Sequence, residues 1–436
     1  MAATEDIFTA DFTSDPWWWE AAPRADDSAA TPPAKADVVI VGAGFTGLSA
    51  ALVLARAGRD VLVLDAGAPG FGASSRNGGM IGSGHRVGFP TLCKRYGEPT
   101  ARDLINEGLA SLDFTVDLIE REQIRCHFKR SGRFRGAWAP HDYEAFGREI
   151  DLLRKEFKVE ADMVPASESK AQVATAAYHG GCIYHQHGGL HPALFHQGLL
   201  ERATAAGATV IGHRPVTGIR KDGATITVAA NGATVAARDV IVATNGYTGP
   251  VTPVFRRRLI PVPSFIIATE DLGEARVKTL IPSGRMIVES RTRHCYYRPS
   301  PDGRRILFGG RAALTPTPPR KSGAILYKMM TGLFPDLEGV KISHSWTGFV
   351  AFSRDHLPHV GLRDGIHYAL GYSGSGVAMA PYLGHKAAHK VLGKAEGRSP
   401  FDGTPFRAFP AYDGRPWFLP LVELWYRHKD RREGSP

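Results

Sequence analysis

Apolar positions along this chain change period several times, and each change marks an element. Val38, Val39, Ile40 and Val41 form an unbroken β-branched run, the pattern of a parallel strand buried on both faces. Beyond a glycine-rich turn, Leu48, Leu52 and Leu54 with Ala50, Ala51 and Ala55 predict an apolar helix over about 46–57, which Gly58 ends. A second buried run at 61–64 predicts another strand. Residues 93–175 read mainly as helix, with strand-like stretches near 124–129 and 132–138. A helix is expected at 191–206 and a strand at 208–213. Alternating segments at 215–220, 224–229 and 233–237 predict a β-meander, and 239–246 a further buried strand ending in a turn. Alternation returns at 262–268 and 304–309, strands are expected within 341–372, and helices at 376–393 and 421–430. Residues 1–35 are polar and Pro/Ala-rich apart from Trp17, Trp18 and Trp19, which predicts an extended arm. Three adjacent tryptophans are expected to pack on the body or on a partner subunit rather than stay in water.

Glycine spacing gives the first chemical reading. Gly42, Gly44 and Gly47 sit between strand and helix as G-x-G-x-x-G. The first permits the tight turn, the second lets backbone approach a pyrophosphate, and the third lets helix and strand pack closely. The helix N-terminus then offers free N–H groups and a positive dipole end to phosphate. Asp65 closes the next strand, where a carboxylate can accept hydrogen bonds from a ribose diol. Strand, glycines, helix, strand and acid in that order specify a dinucleotide site. A second glycine-rich loop, 70–86, lets backbone lie flat against a ligand, with Ser74, Ser75, Arg76 and Asn77 as donors. It follows the ribose acid closely enough to run under the same cofactor; the alternative is a flexible surface loop. A third loop, GYSGSG at 371–376, opens a helix whose dipole can stabilise negative charge on a bound ring.

These segments, with IVATNGY, HSWTGFVAFSRDHLPHVG and YALGYSGSGVAMAPYLG, resemble in order and spacing the D-amino-acid oxidase/glycine oxidase superfamily of FAD-dependent enzymes. Within it the chain most resembles the γ-glutamylputrescine oxidoreductase branch, over roughly residues 35–395. The resemblance implies an α/β fold: a Rossmann-like FAD-binding domain of the glutathione-reductase type, carrying an inserted α+β substrate domain with a mixed β-sheet. The expected division is an arm at 1–35; a discontinuous FAD-binding domain at 36–92, 175–248 and 340–393; a substrate domain at 93–174 and 249–339; and a tail at 394–436. It also implies that Gly42, Gly44, Phe45, Thr46 and Gly47 hold the pyrophosphate and Asp65 the ribose, where most relatives carry Glu. Ser74, Ser75, Arg76, Asn77, Gly78, Gly79 and Met80 would line the path to the flavin, and Val216 would meet the adenine. Ala243, Thr244 and Asn245 would close the pocket, with Gly371, Tyr372, Ser373, Gly374, Ser375, Gly376 and Val377 at the pyrimidine edge.

The implied activity is oxidation of the C–N bond of an amine or amino acid by hydride transfer to flavin N5, followed by imine hydrolysis. Electrons would go to O2, giving H2O2; the alternative is a dehydrogenase passing them to a quinone or a partner protein. Two departures bear on that choice. Many relatives have His where this chain has Ser375, and monomeric sarcosine oxidases carry an oxygen-promoting lysine that aligns with Leu307. Covalent relatives use Cys near 345–355 or His near 74–77; neither is present, so the FAD is expected to be non-covalent. Tyr296, Tyr297 and Arg298 could supply an aromatic wall and a carboxylate partner, or be ordinary strand residues and an ion-pair member. Trp346 reads equally as a residue beside the ring or as core. His191, before Pro192 at a helix start, reads as structural, His85 as a surface or rim residue, and 132–138 as a possible pocket floor.

Composition narrows the remaining classes. At 436 residues and 43% hydrophobic, the chain can bury a sizeable core as two domains or one composite. No apolar run reaches membrane-spanning length, and the acidic N-terminal segment carries no export signal. Cys93, Cys126, Cys182 and Cys295 lack disulfide or metal spacing, which points to a reducing cytoplasm and to no metal centre. The net charge of +10 is mostly dispersed, and its clusters at 256–258 and 427–432 lie outside any nucleic-acid module, so the expected partner is a small amine. Oligomeric state is left open.

Overall fold

Two sheets carry the molecule, and the candidate site lies where they meet. The computed structural model describes residues 7–24 and 30–432. In the first sheet Lys35–Val41 lies between Val61–Leu64 and Ala233–Val242, parallel to both, and Thr209–Ile211 extends it parallel to Val61–Leu64. Ile366–Leu370 adds in parallel to Ala233–Val242, and His359–Arg363 pairs beyond it. The helices Phe45–Arg56, Glu98–Arg121, Pro192–Ala205 and Gly376–Val391 share one apolar core built around Val38, Ile40 and Leu48. Val39, Leu62 and Leu64 point to the other face, where the meander Val216–Asp222, Thr225–Ala230 and Ala233–Val242 covers them. This alternation explains why the strands read as unbroken apolar runs: both faces are buried.

The second sheet has nine strands, in the order Phe8–Thr13, Ile342–Phe352, Ile260–Thr269, Ile306–Gly310, Cys295–Pro299, Met286–Glu289, Arg133–Gly136, Gly181–Tyr184, Ala161–Val164. One face packs on the helix Pro319–Leu333 through Phe265, Tyr297, Phe308, Leu326 and Met330. The opposite face carries Tyr296 and Ile266 toward the first sheet. Ile342–Phe352 and Gly181–Tyr184, from segments expected to belong with the nucleotide-binding pieces, lie in this sheet. Apolar alternation shows that a strand has a buried face but not which sheet buries it.

Other differences are local. The run at 233–246 is one ten-residue strand through Asp239 rather than two, because Asp239 pairs with Val38 and its carboxylate meets Arg59 at 3.4 Å. The stretch at 124–129 is irregular, touching the sheets only through the bridge of Lys129 to Gly189. Within 70–86, Ala73–Arg76 is a helical turn. The arm is not merely extended: Phe8–Thr13 is a strand parallel to Ile342–Phe352, and Trp17–Trp19 a single 3-10 turn. Trp18 is fully buried, and Trp17 and Trp18 pack on the chain's own Ile266, Leu307 and Trp346. Residues 1–6 and 25–29 of the predicted arm lie outside the described residues. No helix among the described residues is long and apolar enough to cross a membrane.

Candidate functional site

Backbone geometry explains each glycine of the first turn. Gly42 has φ +105°, and a Cβ there would stand 3.0 Å from the Ala243 carbonyl oxygen. A Cβ on Gly47 would fall 1.9 Å from the Gly42 carbonyl oxygen, and one on Gly44 2.8 Å from Ser74 Oγ. The turn therefore tolerates no side chain at these positions. Ser74 Oγ accepts from the Phe45 N–H at 2.9 Å. Asp65 accepts from the Ala43 N–H at 2.7 Å and from the Gly67 N–H at 3.0 Å. Burial pushes the Asp65 carboxyl above its usual range, opposed by those amides. The first-turn amides of the Phe45–Arg56 helix face outward from this turn without i−4 partners.

A cavity of about 540 Å³ opens above this turn. Of the residues expected to hold FAD, its lining includes Gly42, Gly44, Phe45, Thr46, Asp65, Ser74, Asn77, Val216, Ala243, Thr244, Asn245, Tyr372, Ser373, Gly374, Gly376 and Val377. Thr46 Oγ1 lies 2.6 Å from Tyr372 Oη, which donates to the Ala369 carbonyl. Asn245, at φ +42°, accepts the Gly371 N–H through Oδ1 at 2.9 Å, fastening the two late loops together. Gly374 has φ +107° and stands at the mouth of the Gly376–Val391 helix.

Other expected residues support the cavity from behind. Gly47 and Gly371 shape backbone, and Ser375 is the N-cap position of its helix without lining either cavity. Ser75 is buried; its Oγ donates to the Gly70 carbonyl and accepts the Trp19 indole N–H at 2.8 Å. Arg76 donates to the Phe71 and Thr347 carbonyls, its guanidinium stacked between Trp19 and Phe71 at 4.5 and 4.3 Å. Asn77 spends its amide on the Ala73 and Ser74 carbonyls and accepts the Gly79 N–H.

A second cavity, about 240 Å³, adjoins the first and shares Ala73, Asn77, Phe349, Val350, Gly374 and Val377 with it. Arg76, Gly78 and Met80 line it, as does Tyr296, whose hydroxyl is 2.9 Å from Ser264 Oγ. The neighbouring strand residues do not line it. Tyr297 points to the other face, 2.8 Å from the Tyr178 hydroxyl, as strand alternation requires. Arg298 donates to the carbonyls of Gly79, Leu190 and Pro299, which occupies it as a brace for the loop. Trp346 is buried and donates its indole N–H to the Arg76 carbonyl at 2.8 Å. His191 caps the Pro192–Ala205 helix, accepting the Leu194 N–H. His85, expected at a surface or rim, lies behind both cavities, edge-on to Phe401, and burial pushes it down to about 4. Of 132–138, only Arg133 lines the second cavity.

Several lining residues were not singled out in the sequence. Tyr247 and Phe349 pack edge to face at 5.5 Å over the first cavity, and Arg86, His294 and Arg311 reach the second from separate segments. Only the fold brings them together.

A family model described as DAO, FAD dependent oxidoreductase, matches residues 37–390. This chain belongs to that family of FAD-dependent oxidoreductases. It is 32% identical over 400 residues to the gamma-glutamylputrescine oxidoreductase of Escherichia coli K12, covering 91% of this chain and 93% of that protein. Identity is also 32% over 389 residues to the probable oxidoreductase OrdL of Haemophilus influenzae, covering 87% and 88%. In fold, it matches the crystal structure of glycine oxidase from Geobacillus kaustophilus with TM-score 0.72 at 23% identity, over 87% of this chain and 99% of that one. The turn under the larger cavity, where Gly42, Gly44 and Gly47 carry no Cβ, fits the FAD of the family.

Proposed function

We propose that this chain oxidises the C–N bond of a small amine or amino acid, using FAD held without a covalent link. The observation that carries this reading is the pair of adjoining cavities. The larger has the phosphate turn and Asp65 at one end, and a separate chamber meets it through Gly374 and Val377. Bound there, FAD supplies the two-electron acceptor for a hydride leaving the carbon next to nitrogen. Gly42, Gly44, Thr46 and Ser74 would hold its pyrophosphate, Asp65 its ribose, and Val216 its adenine. No cysteine or histidine lines the larger cavity among the described residues, which supports non-covalent binding.

The chain's own residues set the substrate's protonation and pose. No aspartate or glutamate lines the smaller cavity, so no carboxylate is placed to act as base. Arg86, Arg133 and Arg311 make its interior positive, which disfavours an ammonium and favours the neutral amine that can lose hydride. Burial pushes the Tyr296 hydroxyl up to about 12, so it stays protonated as a donor at the cavity floor. Loss of hydride leaves an iminium, which water converts to a carbonyl compound and the freed amine.

Electrons then pass to O2, which takes up two protons to give H2O2. One observation favours the second reading, a dehydrogenase with another acceptor. Leu307, aligned with the oxygen-promoting lysine of monomeric sarcosine oxidases, is buried among Trp17, Trp18 and Trp346. Four free cysteines support a reducing, cytoplasmic setting. The test is anaerobic titration of the purified flavoprotein with a panel of amines, following the flavin band near ~450 nm. Bleaching by one class supports the reading, and air then separates oxidase from dehydrogenase. A band that no amine bleaches refutes it.

A further inference from the structure

The smaller cavity holds more positive charge than one substrate carboxylate needs. Arg133 has no hydrogen-bond or ion-pair partner for its side chain among the described residues, and its Nε is buried and unsatisfied. Its guanidinium lies 5.5 Å over the Tyr184 ring, and burial lowers its pKa. Arg311 and Arg86 both lie over Phe352, at 5.3 and 5.7 Å. Arg86 is exposed, and among the described residues the Arg311 side chain has the Tyr426 hydroxyl as its hydrogen-bond partner. None of the three forms an ion pair among the described residues, although guanidinium groups withdrawn from water, as those of the half-buried Arg133 and Arg311 are, are ordinarily paired. An unpaired set of this kind is the complement of an anionic ligand.

Sheet register separates the charges into two subsites. Tyr296 pairs with Val288 on one side and Gly309 on the other, and Val288 with Arg135, forming one row across the floor. Arg133 stands two residues to one side of that row, and Arg311 two residues to the other. They are also three strand spacings apart, about 14 Å of sheet. The two arginines therefore stand at diagonally opposite corners of the floor, with Tyr296 between them, and Gly374 and Val377 line the same cavity.

We infer that the substrate carries two carboxylates, one held by Arg133 and the other by Arg311 with Arg86, and the reacting C–N bond between them. This rests on the amine-oxidation reading above. A diacid spanning both corners places its centre against the wall shared with the cofactor cavity, and its two charges neutralise guanidinium groups that the fold leaves unpaired.

The test has a binding arm and a turnover arm. In the first, glutarate and butyrate, neither an amine, are titrated calorimetrically into the FAD-loaded protein. Glutarate is expected to bind at least about tenfold tighter, roughly 1.4 kcal/mol. In Arg133→Met and in Arg311→Met the glutarate preference is expected to fall to about twofold or less, with flavin content retained. Arg133→Lys keeps charge and volume but loses the fork. It serves if the methionine variant loads no flavin, and a several-fold loss of glutarate preference is expected. Equal affinity for the two acids in the wild type, or a preference unchanged in the variants, overturns the inference. In the second arm, N-(2-carboxyethyl)glycine is compared with N-propylglycine anaerobically. Selective bleaching by the diacid supports the inference. Bleaching by both at equal apparent Kd overturns it while amine oxidation stands; bleaching by no amine overturns the reading beneath it.

Discussion

His196 ties the phosphate turn to the rest of the protein, and it can do so only when neutral. Its Nε2 lies 2.7 Å from the Ala43 carbonyl oxygen, which can only accept, so that nitrogen carries the proton. Its Nδ1 lies 3.2 Å from Arg24 Nη1, which can only donate, so that nitrogen is the acceptor. A second proton would set two donors against each other in a fully buried site. Burial accordingly pushes His196 down to about 4 from its ordinary 6.5. The sign follows from proton counting: between these values the unfolded chain binds the proton and the folded one does not. Stability is complete above pH 6.5, declines as pH falls, and levels off below 4. The two pKa values give a loss of about 2 kcal/mol at pH 5 and about 3 kcal/mol at pH 4. Other buried histidines add their own slopes, so the measurement is a difference. His196→Gln keeps an N–H donor at the Nε2 position and cannot titrate. Urea unfolding of wild type and variant from pH 7.5 to 4 should show the wild type losing about 3 kcal/mol more than the variant. Parallel stability curves for the two proteins would refute the reasoning.

Three further outcomes follow from packing. Gly47→Ala drives a methyl into the Gly42 carbonyl oxygen, and the purified protein should retain roughly a tenth or less of the wild-type flavin, read by absorbance after desalting. Trp18→Ala empties a fully buried indole site and should cost about 3–5 kcal/mol in chemical denaturation; a cost under about 1 kcal/mol would mean the arm is not part of the core. A Cβ on Gly309 would fall 2.2 Å from the Tyr296 ring, so Gly309→Ala should push that ring into the smaller cavity. Flavin content should be unchanged and KM raised by about tenfold in steady-state assays, roughly 1.4 kcal/mol of substrate binding.

The nucleotide half was legible because its constraints are local. Gly42, Gly44, Gly47 and Asp65 act within one strand–helix–strand unit, and the 3.6 and 2 periodicities around them are uninterrupted. The substrate half was legible as strands but not as a site. Tyr296 and Tyr297 are adjacent and chemically alike, and only the direction of the sheet sends one into the cavity and the other against Tyr178. Arg298 looked like a carboxylate partner because sequence cannot show that three carbonyls already occupy it. Arg86 and Arg133 fell inside segments read as a cofactor loop and a possible pocket floor, but neither they nor Arg311 stood out there, since what distinguishes them is the lack of ion-pair partners among the described residues. Ser75 and Arg76 were read with the cofactor loop, yet one hydrogen-bonds and the other stacks on Trp19.

That grip of the arm on the loop has a consequence for synthesis. Thr9 hydrogen-bonds to Ile342, a partner 333 residues later. At about 5–20 residues per second, the strand Phe8–Thr13 waits roughly 17–67 s for the edge it joins. Throughout that interval Trp17, Trp18 and Trp19 lack the Trp346 surface they later pack on, and for most of it they lack Ile266 as well. The segment made early is thus among the last to dock, and its arrival seats Trp19 on Ser75 and Arg76. Closure of this strand therefore requires that the chain be made through Ile342–Phe352 before the loop beneath the cofactor is gripped by the arm.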